Sequence, residues 1–187
     1  VISGEKIDDY FKENIFDPLS MKETGYNVGP TQQERIMQVH FNLEDGTLVN
    51  SHVQVPPTGN TVYGGTHGLF SSTEDFLKFC QMILNKGSFN GHSILKKETV
   101  ELMIRNHVGE LIGPGRGFGL GFGVLYDTNK DPSPASTGQV YWGGYFKTHF
   151  FIDPKEDLIG IIMTQKIPNT DEYIIELNRA VYSALSL

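Results

Sequence analysis

The sequence has 187 residues, enough for one domain with a sizeable core. Hydrophobic residues make up 39% and charged residues 20%, as in an ordinary globular chain. A net charge of −7 argues against a nucleic-acid partner, because phosphate binding needs clustered cations.

The chain opens on Val1, without a charged-then-apolar leader, and turns helical at once. We therefore expect it to be cut from something longer. Ile7, Tyr10, Phe11 and Ile15 fall on one helical face, and Pro18 stops that helix. Turn residues dominate from Leu19 to Pro30. Glu44-Asp45-Gly46 reads as a turn between two short extended pieces, and Pro56, Pro57 and Gly59 break the chain after them.

Ser72 is a plausible N-cap for the clearest helix, with Asp75 at its third position. Phe76, Phe79, Cys80, Ile83 and Leu84 form its buried stripe, and Gly87 closes it. A second helix is expected from Lys97 to Asn106, with Val100, Met103 and Ile104 inward. Glycine then occupies positions 113, 115, 117, 119, 121 and 123. As one strand, this run would have a bare face, with Phe118, Leu120, Phe122 and Val124 on the other. Further strands are expected at Gln139–Gly143, His149–Ile152 and Leu158–Thr164, the last two joined by a polar turn at Asp153–Asp157. A helix from Asp171 to Ala184 ends the pattern, with Ile174, Leu177, Ala180, Val181 and Leu185 on one side. The order is α+β: a mainly helical region over residues 1–110, then antiparallel strands and a closing helix over 111–187. The longest strongly apolar run, Leu158 to Met163, is far short of a membrane span.

Most single motifs have a plain structural reading. The glycine run lacks the spacing of a dinucleotide loop, since Leu120 and Val124 stand where glycines would be needed; its bare face suits close approach of a helix or another backbone. None of the six histidines has a metal-binding spacing to another, so no metal or organic cofactor is indicated. Cys80 lies on a buried helical stripe and reads as core rather than nucleophile; as the one cysteine it forms no internal disulfide. A Ser-x-x-Lys pair can place a nucleophile and its base on one helical turn. Ser3-Gly4-Glu5-Lys6 and Ser93-Ile94-Leu95-Lys96 match, but 11 serines and 11 lysines give about 0.65 matches by chance. Both serines read better as capping or turn residues. Trp142, the only tryptophan, stands against Gly143 and Gly144 in a strand. Glycines there would let a substrate reach the backbone, and an N–H at such an edge can hold a developing oxyanion. A buried tryptophan at a bulge is the alternative.

Several passages in order resemble the serine β-lactamase and penicillin-binding-protein superfamily, in its class C-like branch of esterases and acyltransferases. They are Ile15-Phe16-Asp17-Pro18-Leu19-Ser20-Met21-Lys22-Glu23-Thr24, Gly64-Gly65-Thr66-His67-Gly68-Leu69-Phe70-Ser71-Ser72-Thr73-Glu74-Asp75, Asn90-Gly91-His92-Ser93-Ile94-Leu95 and Gly117-Phe118-Gly119-Leu120-Gly121-Phe122. Trp142-Gly143-Gly144 and Phe151-Ile152-Asp153-Pro154 are similar to the family's third active-site strand and the hairpin after it. Lys147-Thr148-His149 mimics a Lys-Thr-Gly motif but ends without glycine.

The resemblance implies the C-terminal half of a β-lactamase/transpeptidase-like fold. It implies a parent serine hydrolase that acts on an ester, amide or β-lactam through an acyl-enzyme, with Lys and Tyr managing the proton. The second oxyanion donor would be the backbone N–H of Tyr145, while Trp142, Gly143 and Gly144 would bind the substrate. The nucleophilic serine and its lysine would lie outside this chain, leaving it inactive alone. Its implied partners are the missing N-terminal half and a small acyl substrate, with self-association through an uncovered sheet edge. The alternative is an inactive homologue that binds a ligand or a protein through the same groove.

Overall fold

The computed structural model describes residues 2–53, 55–168 and 170–185. Helix α1 spans Ile7–Phe11 and runs directly into a π-helical turn at Lys12–Phe16. The i→i+5 bonds Asp17 N–H to Lys12 C=O and Met21 N–H to Phe16 C=O mark the widening. This widening shifts the expected face: Phe11, Ile15 and Phe16 join the core, whereas Ile7 and Tyr10 stay exposed. A short helix α2, Pro30–Gln33, follows. The Glu44-Asp45-Gly46 turn joins β1, His40–Asn42, to β2, Leu48–Asn50, with Gly46 at φ +84°.

Helix α3 spans Thr73–Leu84, and the Ser72 hydroxyl caps it by accepting the Asp75 N–H at 3.2 Å. Its inward stripe is as expected, with Met82 added to the buried set. Strands β3, Ser88–Phe89, and β4, His92–Ser93, form a small hairpin before α4, Lys97–Met103. Asp75 joins two of the family-like passages. Its carboxylate, 2% exposed, accepts the Glu23 N–H at 2.6 Å, the Thr24 hydroxyl at 3.0 Å and the Lys78 ammonium at 2.8 Å. A bridge between Gly25 and Phe70 adds a second tie.

The glycine run corrects the single-strand expectation. It folds as a hairpin of β5, Arg116–Phe118, and β6, Gly123–Leu125, with Gly117 opposite Val124 and Gly121 at φ +97° in the turn. Leu120 therefore sits in the turn and is exposed, while Phe122 and Val124 are buried. The bare face does receive a close neighbour. A Cβ at Gly117 would lie 2.1 Å from the Asn106 side chain, and one at Gly119 would lie 2.0 Å from the Met103 carbonyl oxygen. The end of α4 and the segment just after it fill that space.

Three more strands follow: β7, Val140–Gly143; β8, His149–Asp153; and β9, Leu158–Ile162. The five strands β5 to β9 pair antiparallel in sequence order. A two-residue strand β10, Lys166–Ile167, leaves this sheet and pairs parallel with β1. Helix α5, Glu172–Leu185, closes the chain.

Side chains alternate across the sheet. Val124, Val140, Phe150 and Ile152 pack on one side with Cys80 and Ile83 of α3, while Leu125 and Phe151 pack on the other with Leu177, Val181 and Tyr182 of α5. Every residue of β8 is buried, as a strand covered on both faces should be. The result is mixed α+β, with helices on both faces of an antiparallel sheet.

Candidate active site

Trp142 and Gly143 end β7, and a turn carries the chain into β8. The Gly144 N–H donates to the Thr148 carbonyl at 2.8 Å, and the Lys147 N–H to the Gly144 carbonyl at 3.0 Å. Pairing alternates along an antiparallel strand. Trp142, two residues before Gly144, therefore directs its main-chain groups to Phe150, its partner on β8. Gly143 directs its own to the opposite side. There β6 pairs with Val140 and Tyr141 only, and among the described residues no strand lies beside Gly143. The Gly144 carbonyl faces into the turn, so the Tyr145 N–H, trans to it across the same planar peptide, is aimed the other way.

The two glycines also have a structural reason of their own. A Cβ at Gly143 would stand 2.9 Å from the Thr148 carbonyl oxygen, and one at Gly144 would stand 2.5 Å from the Thr148 hydroxyl. A side chain at Gly143 would press on the turn's backbone, and one at Gly144 would displace the Thr148 side chain. The Trp142 ring is half-exposed and meets Phe118 edge-to-face at 4.9 Å; the Tyr145 side chain is largely exposed and lies edge-on to Phe146. The tryptophan is thus not the buried one of the alternative reading.

Below Gly143, on the α5 side, a cavity of about 870 Å³ opens among Arg116, Tyr141, His149, Lys147, Asp171 and Asn178. The sequence did not mark His149 as special, yet it lies directly across the β7–β8 pair from Gly143 and is buried. The hairpin register would have found it. Burial lowers its pKa to about 4; Asp171 opposes that, and the Lys147 and Arg116 charges add to it. The imidazole is therefore neutral at pH 7.

The cations around the cavity are already paired. The Arg116 guanidinium forks onto Asp131 and also donates to the Tyr141 hydroxyl at 3.2 Å. Burial would raise the Asp131 carboxyl, but Arg116 and the Ser133 N–H hold it below the ordinary range. The Lys147 ammonium reaches Asp171 at 2.5 Å.

The two Ser-x-x-Lys matches lie elsewhere in the fold. The Ser3 hydroxyl accepts the Glu5 N–H at 3.2 Å in a turn before α1, and the Ser93 hydroxyl, at the end of β4, donates to the Leu95 carbonyl at 3.4 Å. Neither pair stands on one helical turn. Cys80 is fully buried in the core, and burial pushes its thiol up to about 12. Among the described residues, no group of three or more His, Cys, Asp or Glu is placed to hold a metal ion, and no helix is long and apolar enough to cross a membrane.

The β-lactamase family profile matches residues 1–182 of this arrangement. The chain belongs to the β-lactamase family. Similar relatives include Protein Rv1367c of Mycobacterium tuberculosis, 29% identical over 172 residues, covering 84% of this chain and 43% of the relative. The D-alanyl-D-alanine-carboxypeptidase/endopeptidase AmpH of Escherichia coli is 26% identical over 172 residues, covering 90% of this chain and 42% of the relative. The chain thus spans less than half the length of these curated relatives. Among solved structures, EstCE1, a hydrolase with promiscuous acyltransferase activity, superposes with a TM-score of 0.84 at 22% identity, covering 97% of this chain and 52% of that one. That likeness establishes the fold. Membership places the chain in the serine β-lactamase and penicillin-binding-protein-like superfamily.

Proposed function

We propose that this chain is the C-terminal, substrate-strand half of a serine hydrolase or acyltransferase that works through an acyl-enzyme. The open edge of β7 at Gly143, followed by the oriented Tyr145 peptide, carries this reading. An extended acyl substrate lies along that edge as an added strand. A serine from the other half of the protein attacks its carbonyl carbon. The carbonyl oxygen becomes an oxyanion between the N–H of that serine and the N–H of Tyr145. The leaving group departs with a proton managed by Lys and Tyr of the other half, and water or an alcohol then takes the acyl group. Trp142 and Tyr145 line the acyl pocket.

The substrate class follows from the first motif position. Trp142 offers no cation to a carboxylate, and Arg116 and Lys147 are engaged with Asp131 and Asp171. Esters and other uncharged acyl donors fit this strand better than β-lactams. The chain alone is inactive. The outer edge of β9, which among the described residues pairs only with β8, is covered by the other half of the protein, and in the fragment it drives self-association.

A fluorophosphonate serine probe followed by mass spectrometry tests this. We expect no adduct on this chain and one adduct, outside it, on the full-length protein, which also turns over a p-nitrophenyl ester. An adduct on Ser3 or Ser93 overturns the division of labour. A full-length protein with neither adduct nor turnover overturns the enzyme and leaves a binding module.

A further inference from the structure

The turn that presents the Tyr145 N–H is pinned from outside. The Thr164 hydroxyl, two residues beyond the end of β9, donates to the Phe146 carbonyl at 2.7 Å. Lys147 supplies a second pin. It sits at φ +62°, a conformation that favours glycine, and its ammonium holds Asp171, just ahead of α5.

We propose that Thr164 is a positioning residue for acyl transfer: its hydroxyl fixes the Phe146 carbonyl and, through it, the plane of the Gly144–Tyr145 peptide. The inference rests on Tyr145 as the oxyanion donor. The Phe146 carbonyl belongs to the Phe146–Lys147 peptide, so its rotation reaches the donor through Phe146, Tyr145 and the one peptide plane between them. Thr164 touches neither substrate nor oxyanion. Its contribution is to hold the donor where charge develops, an effect of the transition state rather than of substrate binding. Displacing a reacting group by about 1 Å costs on the order of 100-fold.

The test compares Thr164→Ser with Thr164→Ala in the full-length protein, on a p-nitrophenyl ester. Both variants lose the threonine methyl, and only alanine loses the hydroxyl. We expect serine to keep kcat within about threefold and alanine to lose about 10- to 100-fold, with KM within about threefold for both. The affinity of an arylboronic acid, whose tetrahedral adduct mimics the oxyanion, falls in step with kcat. Thr164→Val, at threonine's own volume, replaces the alanine variant if the latter does not fold. Equal kcat in the serine and hydroxyl-free variants overturns the inference, as does a loss confined to KM. An unaltered full-length protein with no adduct and no turnover instead sinks the acyl-enzyme reading, and this inference with it.

Discussion

The Tyr182 hydroxyl donates to the Asp153 carboxylate at 2.5 Å, joining the last helix to the end of β8. Asp153 is fully buried and also accepts N–H groups from Ser136, Lys155 and Glu156, at 3.2, 3.1 and 3.3 Å. Burial and the neighbouring carboxylate raise the Tyr182 phenol well above its ordinary range, so it stays a donor. Tyr182→Phe keeps the ring against Phe151 and removes the donor. We expect a loss of about 1.5–3 kcal/mol, the range for a hydrogen bond to a charged group, seen as a lower urea midpoint with unchanged slope. An unchanged midpoint would show that this hydrogen bond adds nothing to the packing of α5.

The two glycines of the site differ in what crowds them, so their variants differ in what repairs them. Gly144→Ala meets the Thr148 hydroxyl and Gly143→Ala meets the Thr148 carbonyl oxygen. Each substitution alone destabilises by about 1–3 kcal/mol. Adding Thr148→Ala removes the hydroxyl and repairs Gly144→Ala, but leaves the backbone oxygen facing Gly143→Ala. Thermal melts of the two single and two double variants read this directly; equal repair at both positions would refute the assignment.

His149 makes stability depend on pH. Its folded pKa, about 4, lies below the ordinary 6.5, so the unfolded chain binds the extra proton between those values. The stability linked to this neutral imidazole is fully present above pH 6.5 and is lost as the pH falls toward 4. The loss reaches about 3 kcal/mol across that window. His149→Gln carries no such titration. The stability difference between the two proteins in urea, measured from pH 7 down to pH 4, changes by that amount; a flat difference would remove His149 as its source.

Cys80 is the simplest check of the core. A fully buried thiol with its pKa pushed up to about 12 offers almost no thiolate at pH 8. We expect no reaction with a disulfide reagent in the folded protein and one equivalent in urea. Fast native labelling would mean that α3 does not pack on the sheet as described.

Local signals read well from the sequence. Ser72 and the apolar stripe marked α3 because cap and core face lie within one helix, and Trp142-Gly143-Gly144 stood out as a candidate because the three residues are adjacent. The glycine run misled because its alternation passes through the β5–β6 turn unbroken; Gly121, at φ +97°, looks the same in sequence as a strand glycine. The buried roles of Asp75 and Asp153 were illegible, since their donors come from distant segments such as Glu23 and Tyr182. The same holds for β10, whose partner β1 lies more than a hundred residues away. Thr148 as the reason for both glycines needs the turn itself.

The sequential order of the five-stranded sheet bears on how the chain acquires its structure. Each strand finds its partner in the segment just made, so few long loops must close before pairing is rewarded. The sheet can zip one hairpin at a time as the chain leaves the ribosome, and α5 latches it last through Tyr182. Mutations that weaken that latch should therefore act mainly on how fast the sheet unfolds, and those in the β6–β7–β8 hairpins on how fast it forms.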